Sequence, residues 1–268
     1  MTLLIDGDMI AYRSTVAVEK DTRFLDRYHI LFSSFDDGWH VMLETLGELT
    51  DLAETDDVLF CFSDPTGTFR HKLARDYKGH RRTTRKPLAY WDVVEGIKKR
   101  YPYRILPNLE ADDTLGILMT NGEFDDPILW SLDKDLKQIP GRHLRDDEVV
   151  EVTPEEGDLF HLYQTLAGDT ADGYPGCPGI GETIAWRVLE NRMKLVPYEH
   201  VLKAGKNKGK TEIRYEEVPT DDLWEVVVSH FEKAGLTEED ALEQARIARI
   251  LQANSYDNGE ITLWTPSR

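Results

Sequence analysis

Cysteine is scarce in this chain, with two in 268 residues, Cys61 and Cys177. They have no metal-type spacing, and Cys61 sits in an apolar, strand-like run, so reduced structural thiols in an intracellular protein are expected. No apolar run approaches the roughly 20 residues that span a bilayer. The opening Met-Thr-Leu-Leu-Ile-Asp is too short and too quickly acidic for a signal peptide. A cytoplasmic protein without a membrane partner is therefore expected. Positive charge is also short, 32 Lys and Arg against 50 Asp and Glu, for a net charge of −18. That balance argues superficially against a nucleic-acid partner, because phosphate contacts need cations. Internal repeats and long low-complexity tracts are lacking too.

The average conceals two local stripes. The segment 70–86 (RHKLARDYKGHRRTTRK) contains a single acid, Asp76, and the segment 203–210 (KAGKNKGK) contains none. A bound strand responds to the local field rather than to the global sum.

The first 150 residues alternate apolar strands with helices. Leu3-Leu4-Ile5, Val58 to Phe62, Tyr103 to Leu106 and Pro127 to Leu132 read as strands. Trp39 to Leu52, Leu88 to Tyr101 and Glu110 to Met119 read as helices; Val41, Leu43, Leu46, Leu49 and Leu52 mark an apolar stripe on the first. The pattern predicts an α/β fold, a mostly parallel central sheet flanked by helices. Beyond Thr153 it changes to helices and loops. Thr153-Pro154-Glu155-Glu156 opens one helix, a glycine-rich turn spans 168–181, another helix starts near Glu182, and a late helix follows Thr237. Two regions are expected, 1–152 and 153–268, packed together as one unit.

Acidic residues follow the strands directly: Asp6 and Asp8, Asp64, then Asp133 and Asp135. In an open parallel sheet the carboxyl ends of the strands share one rim. Glu110, Asp112 and Asp113 open a helix, and Asp169 and Asp172 lie in the glycine-rich turn. Each acid alone is an ordinary cap or turn residue. Together, two carboxylates about 4 Å apart repel by roughly 4 kcal/mol at an effective dielectric near 20, so such a cluster persists only with protons or cations. Hard oxygen ligands select Mg²⁺ or Mn²⁺, and two such ions about 4 Å apart serve phosphodiester cleavage. The basic stripe interleaves Phe69 and Tyr77 with cations, the composition of a surface for single-stranded nucleic acid. Lys78 or Arg82 could neutralise a scissile phosphate. Gly176-Cys177-Pro178-Gly179-Ile180-Gly181 before a helix resembles a helix–hairpin–helix, whose turn amides can hold a phosphate.

With these segments assembled, the chain resembles the flap-endonuclease-like 5′-nuclease superfamily, of PIN-like fold, and within it the 5′→3′ exonucleases of small podophages, the gene-six type. The motifs are Ile5-Asp6-Gly7-Asp8, Tyr77-Lys78-Gly79-His80-Arg81, Glu110-Ala111-Asp112-Asp113, Ser131-Leu132-Asp133-Lys134-Asp135 and Gly168-Asp169-Thr170-Ala171-Asp172-Gly173. The resemblance implies one metal site of Asp6, Asp64, Glu110 and Asp112 with Asp113 at its border, and a second of Asp133, Asp135, Asp169 and Asp172. It implies two Mg²⁺ or Mn²⁺ ions, Lys78 on the scissile phosphate with Arg81 or Arg82 assisting, and a helical arch near 70–90. DNA contacts are expected from Arg70, Lys72, Arg75, Tyr77, Lys78, Arg81 and Arg82. The hairpin glycines Gly176, Gly179 and Gly181 are expected to grip duplex, with a monovalent cation bound there. The implied substrate is DNA with a 5′ end, as duplex, flap or RNA–DNA hybrid, met in the host cytoplasm if the chain is phage-encoded. Two departures stand out: Gly173 where many relatives carry Asn, and Glu182 where many carry Lys. A haloacid-dehalogenase-type phosphatase also starts with Asp-x-Asp, Asp6 then being a nucleophile, but leaves the basic stripe and the hairpin unexplained. A non-catalytic DNA-binding module would gain nothing from the carboxylates.

Overall fold

The structure, a computed structural model, describes residues 1–25 and 27–267, and leaves the side chain of Arg82 undescribed. The chain forms two compact units. The first holds Met1–Arg75, Gly79–Gly157 and Ile250–Thr262; the second holds Asp76–Lys78, Asp158–Arg249 and the residues from Leu263.

The first unit is built on β1 (Leu3–Asp6), α1 (Gly7–Val18), the ribbon β2 (Lys20–Phe24) and β3 (Tyr28–Phe32), α2 (Phe35–Ala53) and β4 (Val58–Cys61). It continues through the single turn α3 (Arg70–Leu73), α4 (Tyr90–Arg100), β5 (Tyr103–Arg104), α5 (Ala111–Thr120), β6 (Ile128–Trp130), β7 (Gly141–Arg145) and β8 (Glu148–Val152). The sheet order is β5-β4-β1-β6-β7-β8, parallel throughout except where β8 returns against β7. The expected mostly parallel sheet is therefore present. The central strands β4 and β6 are apolar and buried at every position, and β1 is apolar up to Asp6, because both faces of the sheet are covered there. Leu3, Ile5, Val58, Phe60, Ile128 and Trp130 pack with α1, α2 and α4 on one face. Leu4, Leu59, Cys61 and Leu129 meet Leu115 and Leu118 of α5 on the other.

Helix α2 begins at Ser34, whose hydroxyl accepts the Asp37 N–H at 3.1 Å. It buries Met42, Leu46, Leu49 and Ala53, a 3.6-residue stripe. Of the expected stripe, Leu46 and Leu49 lie on this buried face, whereas Leu43 and Leu52 are exposed. The ribbon β2–β3 was not expected from sequence; every described residue in its strands is exposed.

The second unit contains most of α6 (Pro154–Ala167), α7 (Glu182–Asn191), β9 (Met193–Val201), β10 (Thr211–Pro219), α8 (Leu223–Lys233) and α9 (Glu238–Ala248). Leu166, Ala185, Leu189, Val227, Phe231, Ala241 and Ala245 form its core. Helices and loops alone were expected here, and the long antiparallel pair β9–β10 corrects that. Pro197 sits mid-strand opposite Tyr215. A two-stranded ribbon tolerates it because each strand has an edge where no N–H partner is needed. The short hairpin of β11 (Tyr256–Asp257) and β12 (Glu260–Ile261) belongs to the first unit. No helix among the described residues is long and apolar enough to cross a membrane.

Candidate active site

The acids of the first unit are collected by strand adjacency. β1 pairs with β4 and β6, with Asp6 level with Cys61 and Ile5 level with Trp130. The residues just beyond these strands therefore share the C-terminal rim. Asp6 caps α1 through the Met9 N–H, 2.9 Å from Oδ1. Its Oδ2 accepts the Ser131 hydroxyl at 2.8 Å, and Ser131 Oγ in turn accepts the Asp133 N–H at 3.0 Å. Asp6 is 4% exposed. Burial first, then the charge of Asp8, with a smaller contribution from Asp133, pushes its carboxyl up to about 7. Burial does most of this, and the neighbouring carboxylates add to it.

Asp8 is held by the Ser63 N–H on Oδ2 and the Tyr90 hydroxyl on Oδ1, both at 2.9 Å. Burial and then the Asp8 charge push the Tyr90 phenol upward. Ser63 also uses its hydroxyl to accept the Ala111 N–H at 3.0 Å, which ties the start of α5 to the end of β4. Close approach of α1 to β4 requires glycine at position 7: a Cβ there would lie 2.5 Å from the Phe62 ring and 2.9 Å from the Cys61 carbonyl. Ser63, Ser131 and Tyr90 were not read from the sequence as site residues. The one available signal was a serine directly after two of the apolar strands.

The remaining acids of this unit differ in how committed they are. Asp64 accepts the Asn108 N–H at 2.7 Å and both the N–H and hydroxyl of Thr66, which hold its carboxyl below the usual range. Asp133 caps the turn at 134–138 through the Asp135 N–H at 2.9 Å. Glu110 caps α5 in a reciprocal capping box with Asp113, while Asp112 is half-buried in the first turn. Asp113 is fully buried: Arg70 grips it through Nη1 at 2.6 Å and Nη2 at 2.8 Å, and the Leu251 N–H reaches Oδ1 at 3.0 Å. Arg70 also contacts Glu110 at 3.1 Å and is itself 3% exposed. The border-ligand role expected of Asp113 and the DNA contact expected of Arg70 both yield to this pair, because separating it would strand a buried charge.

In the second unit, Asp169 Oδ1 organises its own turn by accepting the Ala171 and Asp172 N–H groups at 2.7 and 3.2 Å. Asp172 accepts the Tyr77 hydroxyl at 3.1 Å and lies 3.5 Å from Lys78 Nζ. Its carbonyl takes the Lys78 N–H at 2.8 Å, with Lys78 in the left-handed region at φ 50°. Tyr77 is buried, so the stacking role expected of it is closed off. Lys72, Arg75 and Arg81 are exposed; the Arg82 side chain lies outside the described residues. Gly176, at φ 65°, gives its N–H to Gln244 at 3.0 Å, and a Cβ there would meet Gly168 N at 2.3 Å. Its expected phosphate contact is thus replaced by tight turn packing. Gly179 and Gly181 have open space around them, and Gly181 caps α7.

Among the described residues no three carboxylate, histidine or cysteine side chains already close around one point. The rim is an open set of hard oxygen donors, the form suited to a cation that keeps several waters and takes one or two carboxylates. Both cysteines are free and buried, and burial pushes the Cys177 thiol up to about 11.

Residues 1–157 match the family described as 5'-3' exonuclease, N-terminal resolvase-like domain. The sequence is 30% identical to the exodeoxyribonuclease of Enterobacteria phage T3 over 98% of this chain and 92% of that protein. It is 29% identical to the exonuclease of Escherichia phage T7 over 98% of this chain and 93% of that one. Among solved structures, the T5 D15 protein co-crystallised with metal ions shares the fold with a TM-score of 0.57 at 13% identity, covering 92% of this chain and 88% of its own. The chain belongs to the 5′–3′ exonuclease family. It is a hydrolase of the 5′–3′ exodeoxyribonuclease type, and the phosphatase and non-catalytic alternatives fall away.

Proposed function

We propose that this enzyme hydrolyses DNA phosphodiesters from 5′ ends of duplexes, cuts 5′ flaps and removes RNA paired to DNA, with two Mg²⁺ or Mn²⁺ ions at its acidic residues. The observation carrying this reading is the Asp6–Ser131–Asp133 arrangement, in which one buried hydroxyl orients acids from adjacent strand ends. Burial, with the Asp8 charge second, raises Asp6, and a cation among these carboxylates would offset both by favouring its charged form. The T5 protein that shares this fold was crystallised with metal ions, which supports the same need here.

In this assignment Asp6, Asp64, Glu110 and Asp112 serve one ion, and Asp133, Asp135, Asp169 and Asp172 serve the other. Bound ions would acidify water and stabilise the leaving oxygen. The chain's own residues do the positioning. Ser131 fixes the Asp6 carboxylate and the Asp133 backbone, and Ser63 ties Asp8 to the start of α5. Lys78, with Arg81 and Arg82, neutralises charge developing on the scissile phosphate. The stretch 70–90 guides a 5′ single strand, anchored where Arg85 pairs with Glu19 at 2.5 Å. The turn at Gly179 and Gly181 and the N-terminus of α7 hold duplex backbone, with a monovalent cation.

The test is product analysis on 5′-labelled, 3′-labelled and flapped duplexes, with Mg²⁺ and with EDTA. Nucleotides or short oligomers released from the 5′ side only when Mg²⁺ is present are expected. Cleavage that proceeds equally in EDTA, or that starts from 3′ ends, would overturn the reading.

A further inference from the structure

The basic segment 203–210 has no part in the chemistry above, yet it is built into an ordered position. β9 and β10 pair over nine residues each, in continuous register from Met193–Pro219 to Val201–Thr211. At about 3.4 Å per residue the ribbon is roughly 30 Å long. Its base is fixed to α8: the Leu195 N–H donates to Ser229 Oγ at 3.0 Å, and Lys194 pairs with Glu225 at 2.9 Å. Lys233 lies 5.6 Å from the Tyr215 ring centroid. From Pro197 outward β9 is exposed except at His200, so the outer half extends from its own unit.

The tip is closed by bonds of its own. Leu202 N–H reaches the Lys210 carbonyl at 3.0 Å, Gly209 N–H the Leu202 carbonyl at 2.8 Å, and Lys210 N–H the Asn207 carbonyl at 3.0 Å. Gly205 and Gly209 take φ 80° and 84°, which glycine alone adopts without strain. The tip therefore holds its shape without help from the lysine side chains. Lys203, Lys206, Lys208 and Lys210 are all exposed, and none forms an ion pair among the described residues. Four unneutralised cations on one small turn contrast with the chain's net −18. Selective partnering explains this better than solubility, which the acidic remainder already serves.

We propose that the β9–β10 tip is a second nucleic-acid contact, an arm that grips the phosphate backbone of duplex DNA without reading its sequence. Between Lys203 and Lys210 stand only Lys, Gly, Ala and one Asn. Lysine meets phosphate as a point charge, and the segment has no aromatic ring on which an unpaired base could stack. That favours duplex over single strand. A two-stranded ribbon is also narrow enough to enter the major groove. This inference rests on the DNA-directed function proposed above.

The test compares the full chain with a variant carrying Lys203→Gln, Lys206→Gln, Lys208→Gln and Lys210→Gln, and with the matching fourfold Lys→Arg variant. Binding to a blunt random-sequence duplex and to a single strand is measured across salt concentration, with Ca²⁺ replacing Mg²⁺. Each lost phosphate contact lowers the slope of log affinity against log salt by about 0.9, so the Gln variant should lose about 2 to 4 from it. Its duplex affinity at moderate salt should fall tenfold or more. The Arg variant should match the parent in both, with unchanged melting temperatures throughout. An unchanged slope in the Gln variant, or a loss as large on single strands as on duplex, overturns the arm while leaving the nuclease reading intact. A parent chain that neither binds nor degrades 5′-ended DNA overturns both.

Discussion

Arg70 and Asp113 form a bidentate ion pair, at 2.6 and 2.8 Å, in which the guanidinium is 3% exposed and the carboxylate not at all. Arg70 belongs by sequence to the basic stripe and Asp113 to the acidic motif, and each neutralises the other inside the fold. Their pairing fixes the start of α5, and through the Leu251 N–H it also fixes the segment after α9. Removing one partner strands the other as a buried charge, a loss of about 3–5 kcal/mol. Arg70→Ala and Asp113→Ala should each lower the urea midpoint and melting temperature by comparable amounts. The double variant should lose less than the sum of the two. Strict additivity in that cycle, measured by thermal or urea unfolding, would show that the pair contributes no coupling.

Ser131 joins Asp6 to the backbone of Asp133 through a single hydroxyl. Deleting that oxygen leaves every carboxylate in the chain but frees two of them from their common orientation. Residues that orient metal ligands are typically worth about 10- to 100-fold in affinity or activity. Ser131→Ala should raise the Mg²⁺ concentration for half-maximal cleavage by such a factor, with a smaller change at saturating metal. Asp133→Asn and Asp112→Asn should abolish cleavage at any Mg²⁺ concentration and leave DNA binding largely intact. A Mg²⁺ titration of the three variants on a 5′-labelled duplex separates positioning from ligation.

The parallel sheet and its acidic rim were legible in the sequence because continuous apolar runs such as Val58 to Phe62 end in carboxylates. Strand adjacency then does what the linear motif cannot, bringing Ser131 to Asp6 across 125 positions and through it tying Asp6 to Asp133. Arg70 was legible only as a cation: its burial depends on a partner 43 residues away. Tyr77 was misread for the same reason, its hydroxyl being taken by Asp172. The two ribbons escaped because neither shows a clean alternation. β2–β3 buries no described strand residue, and β9 carries Pro197 in a position that only a two-stranded ribbon accepts. Side-chain commitment and edge pairing are tertiary facts, and local periodicity does not encode them.

Lys78 presents its ammonium 3.5 Å from Asp172 and 5.0 Å from the Tyr77 ring centroid, with its backbone in the left-handed region. A carboxylate beside it limits how much charge it gives to ground-state binding. Its contribution is expected where negative charge grows on the phosphate. Lys78→Met keeps the stem and removes the charge. Single-turnover cleavage should slow by about 10²- to 10³-fold, as when one donor to a developing oxyanion is lost. Duplex affinity should change only a few-fold, and a binding loss as large as the rate loss would move Lys78 from the reacting phosphate to general attraction.

His161 in the second unit is 1% exposed, with Nε2 on the Ala245 carbonyl at 2.8 Å and its ring edge-on to Trp264 at 4.9 Å. Burial, with help from the nearby Arg249 charge, lowers its imidazolium from 6.5 to about 3. The folded state therefore binds fewer protons than the unfolded chain over that window. Its contribution is complete above pH 6.5 and declines as the pH falls toward about 3. At pH 5 the loss from this residue is about 2 kcal/mol, from 1.36 kcal/mol for each pH unit below the unfolded value. His161→Gln keeps a donor for the Ala245 carbonyl and does not titrate. It should be less stable than the parent at pH 7.5 yet lose less of its melting temperature on going to pH 5. Melting curves of both proteins at the two pH values decide this, since equal shifts would place the acid sensitivity elsewhere in the chain.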